Sequence, residues 1–392
     1  ALDFQHGGYL LNHDQDGEWK GPADKFCIPQ ARVVWFFSRA FRAGFFPEGI
    51  RAASHGVDFL REFLWDRDQG GFFWSVSHCE SSLTAVSARL SARRSALYGL
   101  AEYARASQEA GALEYTHEVA DLFRGPFHDP VHGGYLSELN RSLQPVPIDG
   151  PRGGTVRHKT VNEHLHVLEA LEACAHLRSE TWVRDHLNHL ILILTGSALR
   201  KTIGTNSDRH RPDWTPLLGR EHAKVSYGHD AEAVWLVSEA CRVTGVPFFL
   251  VADWARSLMA SVLRWGWDRR KGGVYYSGPL GGPAHSRQKV WWVQAEVLVG
   301  ALTAYRLMGD ARFAELYLNT LDWIKEYHVD WKGGEWRSTV EPDGSVSGDR
   351  AGLWKSPYHN GRAMIRCLEL LKPGSPDGLE AAGGHGSGPR EV

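Results

Sequence analysis

The chain has 392 residues, 43% of them hydrophobic and 23% charged, with a formal net charge of -2. That is ample apolar material for a large core, and the near-neutral balance offers no basic surface for nucleic acid or an anionic membrane. The 5 cysteines, at positions 27, 79, 174, 241 and 367, are odd in number and form no Cys-x-x-Cys pair, which points to reduced thiols and a cytoplasmic setting.

The first residue is Ala rather than Met, so further residues upstream are to be expected, and no charged-then-apolar leader pattern opens the chain. Asp3 begins an Asp-x-x-x-Gly-Gly pattern that recurs at Asp66, Asp129 and Asp268, with a shortened copy from Asp330 to Gly334. An aromatic follows each: Tyr9, Phe72, Tyr135, Tyr275 and Trp336. The second glycine falls at 8, 71, 134, 273 and 334, giving spacings of 63, 63, 139 and 61. One copy is therefore missing inside the long spacing. The region 201–214 should hold it, although Asp208 there lacks a following glycine pair. Gly-Gly ahead of alternating aromatics reads as the start of a hairpin.

Between hairpins the apolar periodicity predicts two helices each time. In chain order they fall at 27–43, 51–64, 90–107, 113–124, 160–177, 180–195, 229–244, 248–265, 289–308, 311–327 and 356–371. The first of each pair is apolar and aromatic, and the second is amphipathic. The most apolar run, 187–199, is interrupted by Asn188, His189, Thr195 and Gly196, and is too short to span a bilayer. Six first helices and five second helices at a regular period make a closed ring. The expectation is an all-α fold, an (α/α)6 barrel over residues 1–372, with short β-hairpins between repeats. A sixth outer helix is expected upstream of Asp3. The Gly-rich stretch 373–392 has no apolar face and is expected to be disordered.

Polar residues recur at the starts of the inner helices. Arg32 opens the first. Asn162 and His166 lie four apart on the third, hence on one face, with Glu169 below. His164 is two residues from His166 and should face away. His229 and Glu232 open the fourth, Trp291 and Trp292 the fifth, and Trp354, Tyr358, His359 and Arg362 the sixth. A single histidine at such a place is usually a hydrogen-bonded structural residue; three at equivalent places in a ring favour a site. Glu169 and Glu232 read as partners that orient histidines. The tryptophans suit either the core or the apolar faces of sugar rings. The histidines lack metal-ligand spacing, and no Gly-rich phosphate loop is present, so neither metal nor cofactor is expected. Carboxylates are sparse at these helix starts, which counts against glycoside hydrolysis.

Histidine exchanges protons near neutrality, and an arginine can stabilise an oxyanion. Together they suit epimerisation or isomerisation next to a carbonyl. The residues also resemble a known family. Gln30-Ala-Arg-x-x-Trp-x-Phe-Ser38, Asn162-x-His-x-His166, Gly228-His-Asp-x-Glu232, Trp291-Trp-Val-Gln-Ala-Glu296 and Trp354-Lys-x-Pro-Tyr-His-Asn-Gly-Arg362 are similar to the N-acylglucosamine 2-epimerase superfamily, and most to the cellobiose 2-epimerases. The resemblance implies C2 inversion of a reducing-end glucose or mannose unit, without metal or nicotinamide. It implies His229 and His359 as the acid/base pair, Arg32, Asn162 and His166 as holders of sugar oxygens, and Trp292 (or Trp291) and Trp354 as stacking surfaces. The chain departs from the cellobiose enzymes at Ser91-Ala-Arg-Arg-Ser95, where an aromatic segment is usual. A small sugar is the expected partner, and a monomer or homodimer the expected state. Rival readings are an aldose–ketose isomerase, an N-acylglucosamine epimerase, a glycoside hydrolase and a non-catalytic binding barrel.

Overall fold

A computed structural model describes residues 1–77, 87–140, 144, 158–177 and 180–373 of the chain. The expectations for Cys79 and for the tail from 374 onward lie outside the described residues. Among the described residues there are eleven α-helices: α1 (Cys27–Arg42), α2 (Gly49–Phe59), α3 (Leu90–Ser107), α4 (Ala110–Asp121), α5 (Val161–Ala175), α6 (Thr181–Leu192), α7 (Tyr227–Thr244), α8 (Ala252–Ser261), α9 (Trp291–Met308), α10 (Ala311–Trp323) and α11 (Tyr358–Leu371). The odd-numbered helices pack each on the next, and α11 returns to α1, closing a ring of six. Five even-numbered helices lie outside; α2, α4, α6 and α8 each bridge the odd helices on either side, and α10 packs on α9. This is the (α/α)6 barrel, with one buried apolar cluster running from Tyr9 to Leu370.

Inner helices approach closely where a glycine permits it. A Cβ on Gly99 of α3 would come within 2.5 Å of the Ala31 carbonyl oxygen of α1. Gly300 of α9 stands in the same relation, 2.5 Å, to Ala231 of α7. Four of the outer helices end in a π-helical turn: Leu60–Leu64, Ile193–Ser197, Val262–Gly266 and Ile324–His328. Each turn leads straight into a hairpin, so the π turn belongs to the repeat.

The Asp-x-x-x-Gly-Gly segments form the hairpin loops themselves. Backbone bridges join Leu2 to Tyr9, Trp65 to Phe72, His128 to Tyr135, Trp267 to Val274 and Val329 to Trp336. The missing sixth copy is the hairpin in which Leu199 pairs with Asn206 and Arg200 with Thr205. It keeps the register but has Arg200 where the others have Asp, and Gly204, with φ +75, is its only glycine of the pair. The aspartates cap their own loops: Asp3, Asp66, Asp129, Asp268 and Asp330 each accept from the backbone N–H groups two and three residues on. Three also hold a buried lysine at the start of the next inner helix, Lys25–Asp3 at 2.6 Å, Lys159–Asp129 at 2.8 Å and Lys289–Asp268 at 2.9 Å.

The fourth residue of the inner helices fastens the hairpins. Gln30 pairs with both backbone groups of Tyr9, and Gln294 with those of Val274. Arg93 donates to the Gly70 carbonyl, His164 Nε2 accepts from the Tyr135 N–H at 2.8 Å, and Asp230 accepts from Thr205 Oγ1 at 2.5 Å. His164 thus faces the outer wall, as its spacing from His166 predicts. Hairpins and helix starts are fixed at one end of the ring. At the other end the ion pairs Arg42–Glu102, Arg39–Glu369 and Arg366–Glu239 line the inner helices.

Candidate active site

The first turns of the inner helices surround a cavity of about 900 Å³. Local capping sets two of its walls. Thr160 accepts from the Glu163 N–H at 3.1 Å and so starts α5 just before Asn162. Ser226 accepts from the His229 N–H and starts α7 just before His229. Gly228 leaves the room in which the Trp292 ring lies, since a Cβ there would be 2.6 Å from it.

Nine of the residues singled out in the sequence line this one cavity, Arg32, Asn162, His166, His229, Glu232, Trp291, Trp292, Trp354 and His359, while Glu169, Tyr358 and Arg362 do not. The Trp292 ring lies between two histidines, with centroids 4.8 Å from His229 and 5.8 Å from His359. Trp291 is only 7% exposed and packs in the wall beneath Lys355, so Trp292 is the better placed of the two to meet a ligand. Trp354 is 55% exposed at the mouth, opposite Trp74 at 6.4 Å. The Arg32 guanidinium carbon lies over the Tyr358 ring, 4.3 Å from its centroid.

Below the cavity floor, Arg362 collects three carboxylates. Its Nη2 donates to Glu232 Oε1 at 2.8 Å and to Glu296 Oε1 at 2.7 Å, and its Nη1 donates to Glu169 Oε1. Glu296 Oε1 lies 2.6 Å from His359 Nδ1, and Glu169 Oε2 lies 2.9 Å from His166 Nδ1. Each histidine therefore donates from Nδ1 to a carboxylate and keeps an Nε2 lone pair free. Glu296 Oε2 also accepts from Trp235 Nε1 at 2.9 Å. His229 is held differently: Asn162 Nδ2 donates to its Nε2 at 2.8 Å.

Burial dominates the titration of this cluster. His359 and His166 are held well below the ordinary histidine value, first by burial and then by nearby guanidiniums. His229 is lowered for the same leading reason. Glu296 is pushed well above the carboxylate range by burial and by the like charge of Glu232. Glu232 is raised to about 7 by burial, despite Arg32 and Arg94 nearby. The physical sense is plain: one guanidinium serves three buried carboxylates, so ionising all three together is disfavoured.

Glu232, Glu296 and His359 place ligand atoms within 4.8 Å of one another, the spacing of a metal site. Arg362 Nη2, however, stands within hydrogen-bond distance of both carboxylates. The Arg362 guanidinium already supplies both carboxylates with a positive partner, and a metal ion there would meet its like charge, so the donor set does not fit a metal.

Reading the sequence alone missed the parts played by Glu296 and Arg362, and also Trp74, Tyr276 and Asp208 in the cavity wall. A signal for Glu296 did exist. The sixth residue of four inner helices is Arg32, His166, Glu232 and Glu296, one polar residue apiece at equivalent height.

The N-acylglucosamine 2-epimerase (GlcNAc 2-epimerase) family model matches residues 8–363. The cellobiose 2-epimerase of Bacteroides fragilis is 30% identical over 379 residues, 94% of this chain and 93% of that protein. The solved structure of cellobiose 2-epimerase from Spirochaeta thermophila superposes with a TM-score of 0.85 at 32% identity, covering 94% of this chain and 91% of that one. The D-mannose isomerase of Marinomonas mediterranea is 23% identical over 390 residues, 93% of this chain and 91% of that protein.

Proposed function

The chain belongs to the N-acylglucosamine 2-epimerase family and is a carbohydrate 2-epimerase, and we propose that it inverts C2 of the reducing-end glucose or mannose unit of a cellobiose-like disaccharide or of the free sugar. The observation that carries this reading is the pair of histidines flanking one tryptophan, each within 6 Å of its ring in a single cavity. Trp292 offers an apolar face to a sugar, and Trp354 with Trp74 offers a second platform at the mouth for a further unit.

In this reading the sugar reacts as the open aldehyde. His359 Nε2 takes the C2 proton, and the C–H electrons move into the C1 carbonyl to give an enediolate. Arg32 is the cation next to the developing oxyanion. A proton then returns to C2 on the other face from His229, once the sugar has displaced the Asn162 amide from its Nε2. Both histidines rest neutral, so the return step needs one proton more than they hold. Glu232, raised to about 7 and with Oε2 unpartnered among the described residues, supplies that proton to His229, and the proton taken up by His359 passes back to Glu232 to close the cycle. His166, oriented by Glu169, accepts from a sugar hydroxyl.

The similarity to a D-mannose isomerase supports a second reading, in which the same enediolate is protonated at C1. Proton NMR of cellobiose, mannobiose, mannose and N-acetylglucosamine incubated with the protein separates the possibilities. A C2 epimer supports the proposal, a ketose supports the isomerase, and monosaccharide release from cellobiose would contradict both.

A further inference from the structure

The departure at Ser91–Ser95 brings two arginines, and the structure separates their roles. Arg93 is the fourth residue of α3 and fastens a hairpin through Gly70. Arg94, the next residue, turns about 100° round the helix and enters the cavity wall. It is 6% exposed, and among the described residues its Nε and Nη1 have no hydrogen-bond partner. Buried guanidinium N–H groups are nearly always paired. Among the described residues, the carboxylates that act on it bond to other groups: Glu163 Oε2 to Thr160 and Ser137, and Glu232 Oε1 to Arg362. Besides burial, the foremost charge acting on Arg94 is the like charge of Arg32. Arg32 also lines the cavity, with an aromatic ring against its face.

Two guanidiniums thus share one wall, and among the described residues no carboxylate is hydrogen-bonded to Arg94. In the ring order, α3 lies opposite α9, so Arg94 and Trp292 stand on facing walls. A sugar laid against Trp292 turns its far edge to Arg94. We infer that Arg94 is a specificity-determining residue that binds an oxyanion substituent, carboxylate or phosphate, on the sugar undergoing C2 chemistry. This rests on the epimerase reading of the same cavity. The planar fork of Arg94 suits either oxyanion, and a charge-assisted bond there replaces an unpaired buried donor.

The test compares kcat/KM for C2 deuterium exchange with glucose, cellobiose, glucuronate and glucose 6-phosphate, using the full chain and its Arg94→Gln and Arg94→Lys variants. The wild-type protein should favour glucuronate or glucose 6-phosphate over glucose by about tenfold or more, and which of the two is preferred names the substituent. Arg94→Gln should lower that anionic-to-neutral ratio by about 10–100-fold, the scale of one charged hydrogen bond, and Arg94→Lys should restore part of it. A wild-type preference for the neutral sugars, or a ratio unmoved by Arg94→Gln, overturns the inference while leaving the epimerase reading intact. If no sugar exchanges at C2, the epimerase reading is what fails. Calorimetric titration of the same two anionic sugars then decides the role of Arg94: binding at least tenfold weaker in Arg94→Gln supports it, and equal or undetectable binding overturns it.

Discussion

His359 Nδ1 lies 2.6 Å from Glu296 Oε1, and the same oxygen accepts from Arg362 at 2.7 Å. The carboxylate fixes the tautomer that leaves Nε2 unprotonated on the cavity side. Glu296→Gln keeps the shape but offers an amide in place of the acceptor, which permits the opposite tautomer. Turnover should fall by about 10²–10⁴-fold, the range for a misassigned general base, with KM little changed. Steady-state kinetics check this, and a loss of less than about threefold would mean that Glu296 does not set the base.

Arg32 and Trp354 should separate in kinetics. Among the described residues Arg32 has no carboxylate partner, and it lies over Tyr358, which suits the proposed role toward charge that appears only during reaction. Arg32→Ala should lower kcat by about 10²–10³-fold. Trp354 is exposed at the mouth, and in the proposed role of a stacking surface it acts on the ground state, so Trp354→Ala should mainly raise KM. A kcat effect confined to Trp354 would reverse these assignments.

The lowered values of His359, His166 and His229 fix the sign of the pH dependence. A base whose value is lowered stays unprotonated as pH falls through 6.5 and is lost only below that point. The profile of kcat/KM should therefore be flat on its acid side down to and below 6.5. An acid limb centred at or above 6.5 would show that the histidines titrate as free imidazoles.

Lys159 is fully buried against Asp129, the Gly133 carbonyl and the Pro212 carbonyl. Lys159→Met removes one partner of a buried pair and leaves Asp129 without its counter-charge. The expected destabilisation is about 3 kcal/mol, measured by denaturant unfolding. A change below about 1 kcal/mol would show that backbone caps alone satisfy Asp129.

The ring was legible because each repeat writes the same signals: an aspartate, a glycine pair, an aromatic, then an apolar helix. The sixth copy escaped because Arg200 replaces the aspartate while the backbone pairing of Leu199 with Asn206 survives, and pairing leaves little trace in residue identity. His229, His359 and Trp292 could be singled out because they lie within the first turns of inner helices, where a ring must bring them together. The Arg362 network could not, since its bonds to Glu232 and Glu169 span 130 and 193 residues. Arg93 and Arg94 are adjacent in sequence, and only the rotation of α3 shows that one faces a hairpin and the other the cavity.

The central claim is that His359 and His229 move the C2 proton. The most direct measurement is deuterium incorporation at C2 of the reducing-end unit in D2O, followed by proton NMR for the wild-type protein and the His359→Asn and His229→Asn variants. The account predicts exchange by the wild type and rates at least about 10²-fold lower in each variant, with sugar binding retained. Exchange at C2 at close to the wild-type rate in either variant would contradict it and return that histidine to a structural role.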